Sequence, residues 1–132
     1  MSELLNLNIS QILEGFNKKK FSAVEVTRAY LDKIEKTRVL NMYLEVTADK
    51  AIEMAKKADA NYKNNSARLL EGVPVGVKDM FCTEGIKTTA SSKILENFVP
   101  TYESTVSSKL WAEGAINLGK LSCDEFAMGS SN

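Results

Sequence analysis

The amino-acid sequence predicts an α/β protein in which helices come first and a strand–helix–strand–helix segment follows. Residues 1–66 carry apolar side chains at helical spacing behind helix-capping motifs. Residues 67–132 open with alternating valines and contain a second short apolar run after a helical stretch. This order of elements is typical of a parallel α/β unit. We therefore expect one domain, with a helical segment at 1–66 and the start of an α/β core at 67–132.

Two capping motifs predict the first two helices. Asn8, with a glutamine three residues later, can cap a helix that runs to about Lys18. Ser22 and Glu25 form an S-x-x-E capping box, and apolar residues then recur every four positions to about Lys36. Both helices should therefore bury one apolar face.

A short strand and an alanine-rich helix are expected next. In "NMYLEVT", 41–47, three apolar residues, Met42, Leu44 and Val46, lie on one side of an extended segment. Thr47 is placed to cap a third helix, whose thin apolar stripe suits close packing and consists of Ala51, Ala55, Ala58 and Tyr62. The stretch "NYKNNSAR", 61–68, has no periodicity and predicts a loop.

The segment "GVPVGVKDMF", 72–81, predicts a strand with two different faces. Val73, Val75 and Val77 alternate on one face, and Pro74, Gly76 and Lys78 occupy the other. The stretch "CTEGIKTTASS", 82–92, then predicts a loop because it is rich in glycine, serine and threonine.

The remaining elements complete the α/β unit. A helix is expected from about Ser104, with Gly114 at the left-handed position that ends it. "AINLGK", 115–120, predicts a short strand. A further S-x-x-E motif, Ser122 to Glu125, predicts a last short helix.

Composition excludes several classes of site. Basic and acidic residues are equal at 17 each, so the chain has no basic excess that would indicate nucleic-acid binding. The absence of histidine excludes Ser-His-Asp and Cys-His sites within these residues. The two cysteines, Cys82 and Cys123, are too few for a zinc ligand set, and we expect reduced thiols. Without a signal peptide or a long apolar run, we expect a soluble protein in the cytoplasm, or in an organelle matrix if the source is eukaryotic.

Two motifs leave their function open on pattern alone. "GAINLGKL", 114–121, nearly matches a phosphate-binding loop, but Leu121 replaces the magnesium-binding hydroxyl and the motif follows a helix, which favours a plain helix-to-strand turn. Lys78 ends an apolar strand, where as a surface residue it can extend its amine into solvent or pair with Asp79 or Glu84. Alternatively, desolvation lowers its pKa and Lys78 acts as a base that activates a serine.

The sequence resembles the amidase signature family. The similarity is carried by "LLEGVPVGVKDMFCTEGIKTTASSKILENFVPTYESTVSSKLWAEGA", 69–115, and by "LGKLSCDEFAMGSS", 118–131. Within the family, "KTTASSKILENFVP" and "DEFAMGSS" resemble the A subunits of tRNA-dependent amidotransferases that convert glutamyl-tRNA(Gln) to glutaminyl-tRNA(Gln), and "FSAVEVTRAYLDKIE", 21–35, fits their early helix. Met80, Asn117, Leu121 and Ser122 depart from the usual family pattern, which affects local packing rather than membership.

The resemblance implies a fold, a site and partners. The fold would be the first βαβα portion of the amidase signature domain, a mixed sheet flanked by helices. The family's Ser–cis-Ser–Lys triad maps its lysine onto Lys78, whereas its serines lie in later motifs that residues 1–132 do not contain, so Ser130 and Ser131 are not those serines. Met128, Gly129 and Ser130 are expected to line the glutamine pocket.

The implied assembly is a heterotrimer with B and C subunits. The A subunit would hydrolyse glutamine, and its ammonia would reach the B subunit, which uses ATP and magnesium to activate glutamyl-tRNA(Gln); no cofactor is expected in this chain. Because the serines are missing, we expect residues 1–132 to be inactive and marginally stable alone, with an unpaired strand edge. The alternatives are a non-catalytic fragment that binds partner subunits and a general amidase of the same family.

Overall fold

A computed structural model describes residues 3–129 of the 132-residue chain. Four α-helices and three strands occur in these residues: α1 (Ile9–Asn17), α2 (Ala23–Lys36), β1 (Tyr43–Val46), α3 (Ala48–Lys63), β2 (Pro74–Lys78), α4 (Thr105–Ala112) and β3 (Ile116–Leu121). Short 3₁₀ turns occupy Leu4–Asn6, Arg38–Leu40, Lys93–Leu95 and Glu125–Ala127. The predicted α/β fold is confirmed, and none of the helices in the described part is long and apolar enough to cross a membrane.

The caps of α1 and α2 form as the sequence predicts. The Asn8 side chain accepts a hydrogen bond from the backbone of Gln11, and the Gln11 side chain accepts one from the backbone of Asn8. Ser22 and Glu25 make the same reciprocal pair at the start of α2. Each pair satisfies backbone N–H groups that have no partner within the helix.

Thr47 precedes α3 but does not cap it with its side chain. Its hydroxyl instead donates to the carbonyl of Asn117 in β3, 3.0 Å away. Thr47 therefore holds the predicted N-cap position, but its side chain makes no cap because a long-range sheet contact uses the hydroxyl. The helix also extends through Lys63, so the predicted 61–68 loop begins at residue 64.

The three strands form a mixed sheet in the order β1–β3–β2. β2 and β3 are parallel and are connected through α4, which confirms the predicted α/β unit, whereas β1 is antiparallel to β3. The pairing of β3 with β2 shifts by one residue just before Gly119, which has a φ of +147° and lies against β1. A Cβ atom at Gly119 would lie 2.1 Å from the carbonyl oxygen of Glu45, so only glycine permits this approach.

The apolar core lies between the helices and β3. The predicted alanine stripe of α3, Ala51, Ala55 and Ala58, is fully buried and packs in one cluster with α1, α2 and β3. Ile116 and Leu118 supply the contribution of β3. Small side chains on α3 allow its backbone to approach the sheet closely.

Two further expectations need correction. Met42, Leu44 and Val46 share a side of the extended segment as expected, but that side is exposed, and it is Tyr43 that packs against the core. The Ser122–Glu125 motif forms no capping box, since Asp124 holds the N-cap position of a single 3₁₀ turn. The Glu125 carboxylate instead accepts a hydrogen bond from the Ser92 hydroxyl at 2.6 Å.

Candidate active site

Lys78 lies at the carboxyl end of the parallel strand pair. It is the last residue of β2 and is opposite Leu121, the last residue of β3. Alternation along β2 places it on the face opposite to Val77, and Lys78 is exposed whereas Val77 is buried. Binding sites in open α/β sheets gather at the carboxyl ends of strands. The position of Lys78 is therefore suited to a side chain that meets a substrate.

A tyrosine packs on the same face of β2 just before Lys78. A Cβ atom at Gly76 would lie 2.9 Å from the hydroxyl oxygen of Tyr43 and from the Leu121 side chain. Glycine at position 76 therefore leaves room for the Tyr43 ring beside the strand that carries Lys78. Burial raises the pKa of Tyr43 above its ordinary value of 10.0, so its hydroxyl stays neutral to a higher pH.

The acidic residues closest to Lys78 in sequence do not pair with it. Within residues 3–129, Lys78 takes part in no ion pair. Asp79 is 1% exposed and its Oδ1 atom lies 3.6 Å from Nζ of Lys120. The backbone N–H of Glu84 donates to the Glu103 carboxylate. The expected surface pairs of Lys78 are therefore absent from the described part of the chain.

A buried polar cluster lies directly behind Lys78. Lys120 is completely buried, and its Nζ atom donates to the carbonyl of Phe81 and to the hydroxyl of Thr88, both at 2.7 Å. The Oδ2 atom of Asp79 accepts from the backbone N–H of Thr89 at 3.0 Å and from its hydroxyl at 2.5 Å. Two charged side chains and two threonines thus connect β2, β3 and the loop between β2 and α4.

The direction of the hydrogen bonds within this cluster is settled by Thr88. Its hydroxyl donates to the carbonyl of Ile86 at 3.1 Å, so its oxygen must accept from Lys120. Burial lowers the pKa of Lys120, while the carboxylate of Asp79 acts to raise it. The cluster therefore supplies two hydrogen-bond acceptors and a nearby carboxylate to the desolvated amine of Lys120.

A cleft of about 570 Å³ opens beside this cluster. It is rich in hydroxyl and charged groups, among them Asp79, Thr89, Ser91, Ser92 and Asp124. Two of its loop segments adopt left-handed backbone conformations at non-glycine residues: Ala90 and Ser91 in the first, and Phe126 and Ala127 in the second. The backbone N–H of Phe126 donates to the carbonyl of Ala90, which holds the two segments together. Strained segments of this kind are concentrated at functional sites.

The predicted pocket residues Met128, Gly129 and Ser130 follow that second segment. Met128 is 84% exposed, and a Cβ atom at Gly129 would lie 2.7 Å from the Asp124 side chain. Neither residue lines the cleft, and Ser130 lies outside the described residues. Their part in binding glutamine stays a prediction, as does the catalytic role of Lys78.

Sequence reasoning missed Lys120, which it treated only as part of a near match to a phosphate-binding loop. The structure places Lys120 inside β3 with its amine bound to protein groups, which is incompatible with a phosphate loop. A signal was available, because a lysine in a short apolar strand needs buried partners. Thr88, which binds Lys120, and Thr89, which binds Asp79, could not be distinguished by sequence from the other hydroxyl residues of the same loop.

Comparison with known proteins agrees with this architecture. The amidase family profile matches residues 25–132. The chain is 57% identical over 129 residues to a protein of Caulobacter vibrioides that is named as the A subunit of glutamyl-tRNA(Gln) amidotransferase; the alignment covers 98% of this chain and 26% of that protein. A second protein of that name, from Caulobacter sp. strain K31, is 54% identical over all 132 residues, which is 27% of its length.

Solved structures share the fold. A chain from a vestigial protein complex, described as revealing the origins of an s-triazine catabolic enzyme, superposes with a TM-score of 0.88 at 32% identity, covering 93% of this chain and 28% of that chain. The peptide amidase of Stenotrophomonas maltophilia superposes with a TM-score of 0.86 at 23% identity, over 92% of this chain and 26% of the peptide amidase, which supports the fold alone. This chain spans about a quarter of the length of these proteins. Together, the profile match and these relatives show that the chain belongs to the amidase family.

Proposed function

We propose that the chain forms part of a glutamine-hydrolysing amidase subunit of a glutamyl-tRNA(Gln) amidotransferase, with Lys78 as its general base. The observation that carries the proposal is the 57% identity, over nearly the whole chain, to a protein named as the A subunit of that enzyme. The exposed position of Lys78 at the carboxyl end of β2 supports its role. Serines outside residues 1–132 would complete the site.

The chemistry is acyl transfer from the glutamine side chain. Neutral Lys78 takes a proton that the cis-serine relays from the nucleophilic serine, whose oxygen attacks the amide carbon. The carbon–nitrogen bond then breaks, a proton passes to the leaving nitrogen, and ammonia departs from an acyl-enzyme. Water hydrolyses the acyl-enzyme to glutamate, and Met128, Gly129 and Ser130 contribute to the pocket that holds the substrate.

This role requires the Lys78 side chain to be less exposed to solvent in a whole amidase than it is in residues 3–129. A solvated lysine has a pKa of about 10.4 and is an ammonium ion near pH 7. Desolvation lowers a lysine pKa and makes the neutral base available. We therefore expect the remaining three quarters of such an amidase to cover the exposed face at Lys78, beside Tyr43 and Gly76.

The ammonia would be used by partner subunits. A B subunit would activate the γ-carboxylate of glutamyl-tRNA(Gln) with ATP and magnesium, and a small C subunit would brace the complex in the cytoplasm. These partners are proposed because the relatives are named amidotransferase subunits. The same argument assigns the protein to translation and to the ligases that use glutamine as amide donor.

The test is Lys78→Ala in the full-length protein expressed with its partner subunits. Loss of a general base typically lowers turnover about 10²–10⁴-fold, so release of ammonia from glutamine should fall by that factor with the fold retained. Lys109→Ala, at an exposed position of α4, is the matched control and should keep wild-type turnover. Retention of more than a few per cent of turnover in Lys78→Ala would remove Lys78 from the mechanism.

A general amidase of the same family is the second candidate, because the amidase profile that matches residues 25–132 does not specify the amide substrate. The 57% identity to a protein named as an amidotransferase A subunit favours the first proposal. Comparing kcat/KM for glutamine with that for short aliphatic amides separates the two. A preference for the aliphatic amides, with no stimulation by glutamyl-tRNA(Gln), would favour the general amidase.

A reading frame that ends at codon 132 would instead favour a fragment that only binds partners.

A further inference from the structure

We propose that Lys120 is a positioning residue for Lys78. From the opposite face of the sheet, its side chain holds in place the turn that begins at Lys78. The inference rests on the proposed role of Lys78 as a base, but it concerns a different residue on a different strand. Four observations carry it: the turn that follows Lys78, the anchoring of Asp79, the burial of Lys120, and the opposite faces of the two lysines.

The turn after Lys78 is closed by a residue that Lys120 binds. The backbone N–H of Phe81 donates to the carbonyl of Lys78 at 3.1 Å. The carbonyl of Phe81 accepts from Nζ of Lys120 at 2.7 Å. One residue, Phe81, therefore connects the Lys78 backbone to the Lys120 ammonium group. A movement of either end of this connection displaces the other.

Asp79 anchors the same turn from a second direction. Its backbone N–H donates to the carbonyl of Leu121, and its own carbonyl accepts from the backbone of Ala90 at 2.7 Å. Its Oδ2 atom is held by Thr89, and its Oδ1 atom makes no hydrogen bond within residues 3–129 but lies 3.6 Å from Nζ of Lys120. The residue directly after Lys78 is thus fixed to β3, to the loop and, through charge, to Lys120.

Lys120 acts through these contacts and does not replace Lys78. In the register of the two strands Lys120 is opposite Val77, while Lys78 is opposite Leu121. Side chains of adjacent strand residues point to opposite faces, so the two lysines lie on opposite sides of the sheet. Lys120 is completely buried, and its amine is occupied by Phe81 and Thr88. It is therefore placed to orient the base and not to exchange protons with a substrate.

A positioning role for Lys120 would explain the presence of an ionisable side chain at a completely buried position. Burying an ammonium group is unfavourable unless every proton finds an acceptor, and an apolar residue of similar volume would often serve stability as well. The acceptors of Lys120 all lie in the segment 79–88, which follows Lys78 directly. Because a displacement of about 1 Å in a reacting group can reduce turnover about 10²-fold, this anchoring is relevant to catalysis.

The test compares Lys120→Met with Lys36→Met in the full-length protein expressed with its partner subunits. Lys120→Met fills the same space without hydrogen bonds, whereas Lys36 is exposed at the end of α2. We expect Lys120→Met to lower kcat for glutamine about 10–100-fold with KM changed less than about twofold, because the substrate pocket is intact and the base is displaced. The pH profile of kcat should also shift, since the environment of Lys78 changes, and Lys36→Met should match wild type in all three measurements.

A second pair of variants keeps the proposal testable if Lys120→Met does not fold. Thr88→Val removes one acceptor of Lys120 at constant shape, and Thr88→Ser retains it. We expect kcat to fall about fivefold or more in Thr88→Val and to recover in Thr88→Ser, as for other positioning contacts. Equal kcat in these two variants, or a folded Lys120→Met with wild-type kcat and pH profile, would overturn the proposal.

Failure of the positioning role is distinguishable from failure of the proposed function. If Lys78→Ala abolishes glutaminase activity while Lys120→Met does not alter kcat, only the positioning role is wrong. If wild type has no amidase activity, amide chemical shifts supply the test without turnover. Lys120→Met should then move the resonances of Lys78 and Phe81, and Lys36→Met should leave them unchanged. Unmoved resonances in a folded Lys120→Met protein would refute the anchoring.

Discussion

The helical half of the protein and the half that carries Lys78 bury different kinds of side chain. Around α2 and α3, the fully buried positions are mostly small and aliphatic, such as Val26, Ala51 and Ala55. In the second half, charged and polar groups are equally buried: Glu71, Asp79, Asn117 and Lys120 are each at most 1% exposed. The first half is therefore held by apolar packing, and the second also depends on specific polar partners.

This difference indicates where the protein tolerates change. An apolar core tolerates substitutions that keep side-chain volume. The loss in free energy of unfolding depends on the cavity or the overpacking that a substitution creates. A buried polar network behaves otherwise, because removing one member leaves another without a partner in a medium of low dielectric. Substitutions near Lys78 should consequently have larger and more pH-dependent effects than those in the helices.

The largest effect is expected where the two halves meet, at the pairing of β1 with β3. In Gly119→Ala, the new Cβ would clash with the Glu45 backbone, and alanine would also be strained at a φ of +147°. Clash and strain together should lower the free energy of unfolding by about 4 kcal/mol. Gly85→Ala is the control, since it shares a positive φ but has open space, and should cost about 1 kcal/mol. Urea unfolding measures both; similar losses would show that backbone strain alone decides the cost.

A smaller effect is expected from breaking the ion pair between Arg68 and the buried carboxylate of Glu71 in the second half. Arg68 binds both oxygens of Glu71, at 2.6 and 3.0 Å, and also contacts carbonyls in the last turn of α4. Glu71 is 1% exposed but Arg68 is 43% exposed, so solvent partly screens the pair, and Arg68→Met should lower the free energy of unfolding by about 2 kcal/mol at pH 7. Arg38→Met, in an exposed pair with Glu35, should change stability by less than about 0.5 kcal/mol.

The cost of Arg68→Met should decline in acid. Burial acts to raise the pKa of Glu71, but the hydrogen bonds from Arg68 outweigh it and the pKa lies below its ordinary value of 4.5. The pair thus stabilises the native state above pH 4.5 and loses this contribution as the pH falls through the folded-state pKa. Urea unfolding at pH 7, 5, 4 and 3 should show the gap between wild type and Arg68→Met narrowing below pH 4.5. A constant gap would mean that packing by the arginine stem explains the loss.

In the helical half, overpacking should have a moderate effect without pH dependence. Ala55→Leu adds three carbons where the side chain is fully buried between α3 and its neighbours, which should cost about 2 kcal/mol. Ala60→Leu, on the exposed face of the same helix, should change stability by less than about 0.5 kcal/mol. Thermal or urea unfolding at pH 5 and 7 provides the measurement. A neutral Ala55→Leu would show that this core is loosely packed.

The smallest effect is expected at a helix cap in the same half. Ser22→Ala removes the hydroxyl that accepts from the backbone of Glu25, which should lower the free energy of unfolding by about 1 kcal/mol. Ser108→Ala, in the exposed part of α4, is the control and should be close to neutral. If neither change alters stability, the hydrogen bonds from the backbone N–H groups of Ala23 and Val24 to the Asp59 carboxylate are sufficient to stabilise the N-terminus of α2.

The elements that were predicted correctly depend on local information. The caps at Asn8 and Ser22, the alanine stripe of α3 and the left-handed Gly114 after α4 each involve residues within a few positions of one another. Thr47 holds the predicted N-cap position without a side-chain cap, and the Ser122–Glu125 motif forms no capping box, because the Thr47 hydroxyl and the Glu125 carboxylate have alternative partners distant in sequence. Local motifs state what a side chain can do, and tertiary contacts decide which option it takes.

The sequence by itself determined the α/β class, the order of its elements and, through family motifs, Lys78 as the candidate base. Only the tertiary structure decided that Lys120 is the buried partner of the turn after Lys78, that Asp79 faces Lys120, and that Met42, Leu44 and Val46 face outward. The physical reason is that helices and caps arise from neighbours along the chain, whereas a buried charge is satisfied by partners about 40 residues away, as with Lys120 and Asp79.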